Sequence, residues 1–158
     1  MAWTSPKTFT ANSVLTASEL NTHVRDNLKA ATEWTAYTPT WGATGGTPTI
    51  GNGILTGRYI SAGDLCHVNI ALTIGSTTSL GTTTAWTFAL PATAAATAVG
   101  NTWALDAGTS YYVAAALIDT GSTSLQVLPD GAGASYAYNV PFTWTTSDRL
   151  VISATYEI

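Results

Sequence analysis

Over residues 66–74 every second residue is apolar: Cys66, Val68, Ile70, Leu72 and Ile74, with His67, Asn69, Ala71 and Thr73 between them. Strand side chains alternate between the two faces with a period of two, so this pattern fits a strand with one face in a core. Half-buried strands of this kind belong to antiparallel sheets, whose outer face is free to meet water. The constraint is severe, because a slip of one residue would move all the apolar side chains into solvent.

The same signature recurs along the chain. Gly51-Asn52-Gly53 is a turn signal that opens the segment ILTGRYI. Trp86, Phe88 and Leu90 share one parity before Pro91, which ends that strand. Residues 97–105, 111–119, 122–128 and 135–140 are further strand candidates, and the terminal RLVISATYE places Leu150, Ile152, Ala154 and Tyr156 on one face. About eight short strands separated by Gly, Ser, Asp and Pro turns predict a mostly β fold, an antiparallel β-sandwich or jelly roll.

One stretch breaks the pattern. LTASELNTHVRDNLKAA, residues 15–31, carries Thr16 and Glu19 as a capping box that satisfies backbone N–H groups at a helix start. Leu15 and Leu20 are placed as a hydrophobic staple around that cap. Ala17, Leu20, Val24, Leu28 and Ala31 then form an apolar stripe, with Asn21, Thr22, Arg25, Asp26 and Lys29 on the opposite side. In heptad terms Asn27 occupies a core position, where a polar residue would set register if identical helices met. A helix this short is marginal alone in water, so it must pack on its own β domain, on copies of itself or on a larger assembly. An assembly role is expected, because the Pro- and Gly-punctuated segment 33–50 reads partly as linker between helix and strands. Residues before the helix are polar and extended around Ser5-Pro6 and form an arm. The expected organisation is an arm and helix over residues 1–33, followed by a β domain over 34–158 with linker at its start. Trp3, Phe9, Leu15, Leu20, Val24, Asn27 and Leu28 are the candidate anchoring residues.

Charged residues make up only 9% of the chain, against roughly a quarter in typical soluble domains. The five basic residues, Lys7, Arg25, Lys29, Arg58 and Arg149, are scattered in a chain of net charge -4, which leaves no basic stripe for phosphates. Nucleic acid is not an expected partner. MAWTSPKTFT has no apolar signal region, and the run YYVAAALI is too short to span a bilayer, so neither secretion nor membrane insertion is expected. The single Cys66 reads as a buried small hydrophobe.

Catalytic chemistry finds little support. His67 and Cys66 are neighbours on a strand and project to opposite faces, and His23 lies in the helix, so no Cys-His dyad forms locally. Asp64, Asp106, Asp119, Asp130 and Asp148 each sit beside a turn or strand end, where Asp commonly supports turn geometry. No G-x-S-x-G, H-E-x-x-H or P-loop is present. Asp130 opens a Gly-rich stretch without the recurring oxygen ligands of a calcium loop. The expectation is a non-enzymatic protein with no cofactor or metal. Binding has more to work with: six Trp and seven Tyr exceed what a small core needs, and Tyr136, Tyr138, Phe142 and Trp144 cluster after the Gly-rich stretch. That cluster fits core packing, a subunit contact or a platform for glycans.

Two blocks resemble virion structural proteins of tailed bacteriophages, particularly the minor tail proteins of phages infecting actinobacteria. SPKTFTANSVLTASELNTHVRDNLKA at 5–30 resembles a module that precedes diverse tail-associated and fibre domains. YTPTW at 37–41, IGNGILTGRYISAGDLCHVNIALTIGSTTSLG at 50–81, WTFALP at 86–91 and the terminal DRLVISATYE resemble β domains of the same virion proteins. The resemblance implies a non-enzymatic virion component, a homotrimer whose arm and helix dock on other phage proteins of the capsid or tail. Its β domain would then face outward, as a compact surface decoration or as a receptor-binding domain for host cell-surface glycan.

Overall fold

The structure, a computed structural model, describes residues 3–81, 84–129 and 134–158. Asp130 and most of the Gly-rich stretch after it lie outside the described residues. The chain begins with an extended arm and one helix of three consecutive pieces: Ala17–Leu20, a wide π-helical turn Asn21–Arg25, and Asp26–Thr32. Among the described residues nine strands follow: β1 (Thr35–Tyr37), β2 (Trp41–Thr44), β3 (Ile54–Ala62), β4 (Leu65–Thr73), β5 (Thr84–Ala89), β6 (Ala98–Asp106), β7 (Ser110–Ile118), β8 (Ser124–Pro129) and β9 (Arg149–Glu157). The protein is thus mostly antiparallel β with one N-terminal helix, as the alternation and the capping box predict.

All nine strands belong to one hydrogen-bonded sheet in the order β1-β3-β4-β9-β6-β7-β8-β5-β2, and every pairing is antiparallel. The outermost strands of this order, β1 and β2, are separated by only three residues in the chain, so the sheet has to curl until its two edges approach. The Tyr37 hydroxyl donates to the carbonyl of Ala89 (3.1 Å), and the Ala89 N–H donates to the Thr40 carbonyl (2.9 Å), which pins the β1 side to the β5 side.

The concave face holds the core. Cys66, Val68, Ile70, Leu72 and Ile74 are all buried, as are Trp86, Phe88 and Leu90, and Leu150, Ile152, Ala154 and Tyr156. These are the residues that the period-two reading sends inward. Their cross-strand pairs, Cys66 with Tyr156, Val68 with Ala154, Ile70 with Ile152 and Leu72 with Leu150, run along one face of β4 and β9.

One segment differs from expectation. Residues 135–140 form a turn closed by a bridge between Ala137 and Val140, not a strand, because Tyr136 and Ala137 are drawn into the core across the sheet. The Tyr136 N–H donates to Val127 and its carbonyl accepts from Trp86, so this segment bridges β8 and β5. The stretch 33–50 supplies β1 and β2, the two strands at which the curl closes, with Pro39 and Pro48 buried at its bends.

Candidate functional site

The arm and helix form a unit whose geometry starts at the cap. Thr16 Oγ1 accepts from the Glu19 N–H (3.2 Å) and Glu19 Oε2 accepts from the Thr16 N–H (3.0 Å), the reciprocal bonds of a capping box. The other Glu19 oxygen meets the Lys7 ammonium, which folds the arm back over the first turn. That ammonium, together with the Thr16 backbone bond, holds the Glu19 carboxyl down at about 2.

One turn on, His23 Nδ1 lies 3.1 Å from the Ser5 carbonyl oxygen, so the nitrogen facing it is the donor. At the next turn Asn27 grips the arm at both ends of its amide: Oδ1 accepts from the Thr4 N–H (2.9 Å), and Nδ2 donates to the Thr4 carbonyl (2.6 Å). Glu19, His23 and Asn27 are spaced four apart and share a helix face. The polar row is therefore the one the chain uses for itself.

The apolar row is left to solvent. Leu20, Val24 and Leu28, the next row, are 43%, 51% and 63% exposed. Leu15 and Phe9 are exposed as well, and the helix packs on β3 with Asn27 and Ala30 as its buried residues. Asn27 acts as an intrachain clamp, its amide bonded to the backbone of the arm at Thr4. The wide turn at Asn21–Arg25 interrupts the regular three-and-four count taken from Ala17. Trp3, at the start of the arm, is half-buried beside a depression bordered by Tyr59, Ser61, Cys66 and Pro91.

The C-terminal aromatic group separates into core and surface. Trp144 packs within 4.4 Å of the Phe142 ring centre, 5.1 Å of Trp86 and 5.9 Å of Tyr136. Tyr136 and Trp144 are buried in the core on the concave side, and Phe142 is half-buried against it. Burial pushes the Tyr136 hydroxyl up to about 12. Tyr138 is the exposed member, at the mouth of a shallow groove whose walls include Thr47, Ser79 and Thr143.

The remaining chemistry-bearing residues do not converge. Cys66 is buried, and burial pushes its thiol up. His67 points the other way, 2.8 Å from the Thr155 hydroxyl, and its ring meets Trp34 edge-on at 5.5 Å, while Arg58 lies 4.5 Å over the same indole. Asp148 is completely buried, and its carboxylate accepts from the Ala107 N–H (2.8 Å) and from the N–H and hydroxyl of Thr145. It ties the β6–β7 turn to the segment before β9. Among the described residues no group of three or more His, Cys, Asp or Glu side chains is placed to hold a metal ion, and no helix is long and apolar enough to cross a membrane.

One surface escaped the period-two reading. β6 and β7 turn Gly100, Thr102, Ala104, Ala114 and Ala116 inward, while Val99, Trp103, Tyr111 and Val113 face out. Both parities of SYYVAAALI are apolar, which makes its buried face illegible from pattern alone.

Comparison with known proteins gives one informative match. Over 113 residues the chain is 36% identical to the Mu-like prophage FluMu defective tail fiber protein of Haemophilus influenzae (strain ATCC 51907 / DSM 11121 / KW20 / Rd). The match covers 69% of this chain and 18% of that protein, so the chain spans about a fifth of the length of the curated relative it matches. No family model matches the chain, and no solved structure matches it.

Proposed function

We propose that this chain is a non-enzymatic structural component of a bacteriophage tail, attached to its particle through the helix and arm and assembled from copies of itself. The observation that carries the reading is the exposed row of Leu20, Val24 and Leu28 on a helix whose polar face is already occupied by the arm. Burying a large aliphatic side chain fully is worth about 1.5–3 kcal/mol, so a row left half open gives an incoming surface a substantial apolar contribution. The tail fibre relative supplies the kind of particle, and the resemblance of residues 5–30 to modules of actinobacteriophage minor tail proteins points to the same role. A minor tail protein is favoured over a capsid decoration because the matched relative is named for a tail fibre.

The experiment is incorporation of the full chain into phage particles. Leu20→Ser, Val24→Ser and Leu28→Ser combined should leave a folded protein that purified particles no longer carry. Normal incorporation of that triple variant would rule the anchoring role out.

A second reading, a host-glycan contact, is favoured by Tyr138 alone. An exposed ring beside the hydroxyls of Thr47, Ser79 and Thr143 combines a stacking face with hydrogen-bonding groups and no charge. Binding to host cell-wall glycans that is lost on Tyr138→Ala would support it; equal binding by wild type and variant would remove it.

A further inference from the structure

Of the seven asparagines only Asn52 is followed by glycine, and only Asn12 by serine. Asparagine cyclises when the backbone nitrogen of the next residue attacks its side-chain carbonyl, a step hindered least where that residue is glycine, which has no Cβ. In an unfolded chain Asn52-Gly53 is therefore the pair that reacts first, ahead of Asn12-Ser13. Folding changes the surroundings of both. The turn at 50–53 precedes β3, the turn at 75–78 follows β4, and the two are pressed together: a Cβ on Gly53 would come within 2.6 Å of the Thr73 carbonyl oxygen, and one on Gly75 within 2.2 Å of Asn52 Oδ1. Asn52 clasps the two turns. Its N–H donates to Thr77 Oγ1 (2.9 Å), its Oδ1 accepts from the Thr77 N–H (2.9 Å) and hydroxyl (3.0 Å), and its Nδ2 donates to Ser76 Oγ (3.0 Å). The Gly53 N–H, on the nitrogen that would attack, donates to the Ile50 carbonyl (2.8 Å), to which the Thr78 hydroxyl also donates (2.6 Å). Asn12 lies exposed in the arm, and among the described residues no hydrogen bond holds its side-chain amide; the Ser13 N–H makes a longer bond, 3.2 Å, to the Thr10 carbonyl.

We propose that Asn52 is a latent deamidation site that the fold holds unreacted, so that folding reverses the intrinsic order and leaves Asn12 to convert first. Cyclisation needs the Asn52 amide to turn its carbon onto the Gly53 nitrogen, and the clasp fixes both ends of that amide while the nitrogen's proton is held by Ile50. The side chain is exposed, so geometry and not lack of water holds the reaction back. When the clasp opens, the Gly53 nitrogen gives its proton to a solvent base and bonds to Asn52 Cγ. The bond from Cγ to Nδ2 breaks, and ammonia leaves with a proton from water. Water then opens the succinimide at one of its two carbonyls, giving aspartate or isoaspartate with no oxidant or reductant. Either product replaces the Nδ2 donor with a carboxylate oxygen, and isoaspartate also adds a methylene to the main chain. The modified turn therefore cannot restore the clasp on residues 76 and 77, which couples the chemical change to loosening of the β3 and β4 ends. The fold retains this reactive pair because Gly53 has no room for a side chain and the Asn52 amide supplies both a donor and an acceptor to the facing turn.

The inference stands apart from the tail assignment. It is tested by incubating the full chain in mildly alkaline buffer, folded and in urea, and following the Asn, Asp and isoaspartyl forms of each site by peptide mass spectrometry. In urea Asn52 should convert ahead of Asn12; in the folded protein Asn12 should convert ahead of Asn52. Ser76→Ala combined with Thr77→Val removes three of the four clasp bonds and should speed Asn52 conversion roughly tenfold while leaving Asn12 unchanged. An unchanged circular dichroism spectrum establishes that the double variant has folded; if it has not, the order of conversion in folded wild type decides alone. The inference is overturned if Asn52 converts ahead of Asn12 in folded wild type, if its rate is the same folded and in urea, or if the folded double variant converts Asn52 no faster than wild type.

Discussion

Asp148 shows how much a single polar side chain can organise. It is wholly buried in a chain with few charges, and three donors from two separate segments converge on its carboxylate. Truncation would strand those donors, each a loss of the order of 1 kcal/mol. Asp148→Ala should therefore lower stability by about 3 kcal/mol in urea unfolding. The opposite case is Tyr136, whose buried hydroxyl has no hydrogen-bond partner, as is also true of the indole nitrogens of Trp41 and Trp86. Tyr136→Phe removes a desolvated polar atom while keeping the ring against Trp144, so it should be neutral or stabilise by about 1 kcal/mol. The turn position of Asp148 was readable from sequence, but its burial was not, because the Ala107 N–H that meets it comes from the β6–β7 turn, 41 residues away in the chain.

At the scale of the element, the helix is legible and its orientation is not. The capping box at Thr16 and Glu19 is local chemistry, closed within three residues, and it forms as the sequence predicts. Which face turns inward depends on the arm, whose backbone at Thr4 and Ser5 finds Asn27 and His23. The pH dependence of this unit follows from Glu19. Its folded value of about 2 lies below the ordinary 4.5, so its contribution is fully present above pH 4.5 and disappears as the pH falls through 2. Amide exchange of the arm and first helical turn should rise over that acid window, and Glu19→Gln should abolish the dependence. An arm whose exchange is flat between those values would show that the Lys7 and Thr16 contacts do not hold it.

For the whole molecule the decisive event is closure of the sheet. Gly57 of β3 lies under Tyr37 and Pro39, and a Cβ there would come within 2.5 Å of the Tyr37 ring. Gly57→Ala should push the β1 edge from its seat and cost about 1–3 kcal/mol in thermal unfolding. Gly100 plays the corresponding part inside β6, where a Cβ would sit 2.5 Å from that of Ala154. A glycine in the middle of a strand pattern announces a close approach, but not what approaches.

What the sequence by itself determined is everything enforced at short range: the parity of β4, β5 and β9, the turn at Gly51-Asn52-Gly53, and the helix start at Thr16. Alternation, turn geometry and capping all act within a few residues, so the information is contiguous in the chain. Only the tertiary structure decided that nine strands form one curled sheet whose edges meet at Tyr37 and Ala89. It also decided that Tyr136 and Trp144 fill its interior, and that the polar face of the helix is spent on the arm while its apolar row stays open. Those outcomes depend on competition for the same buried space between residues far apart in sequence. The aromatic group around Trp86 fills the concave side, which leaves β6 and β7 to put small residues in and large ones out.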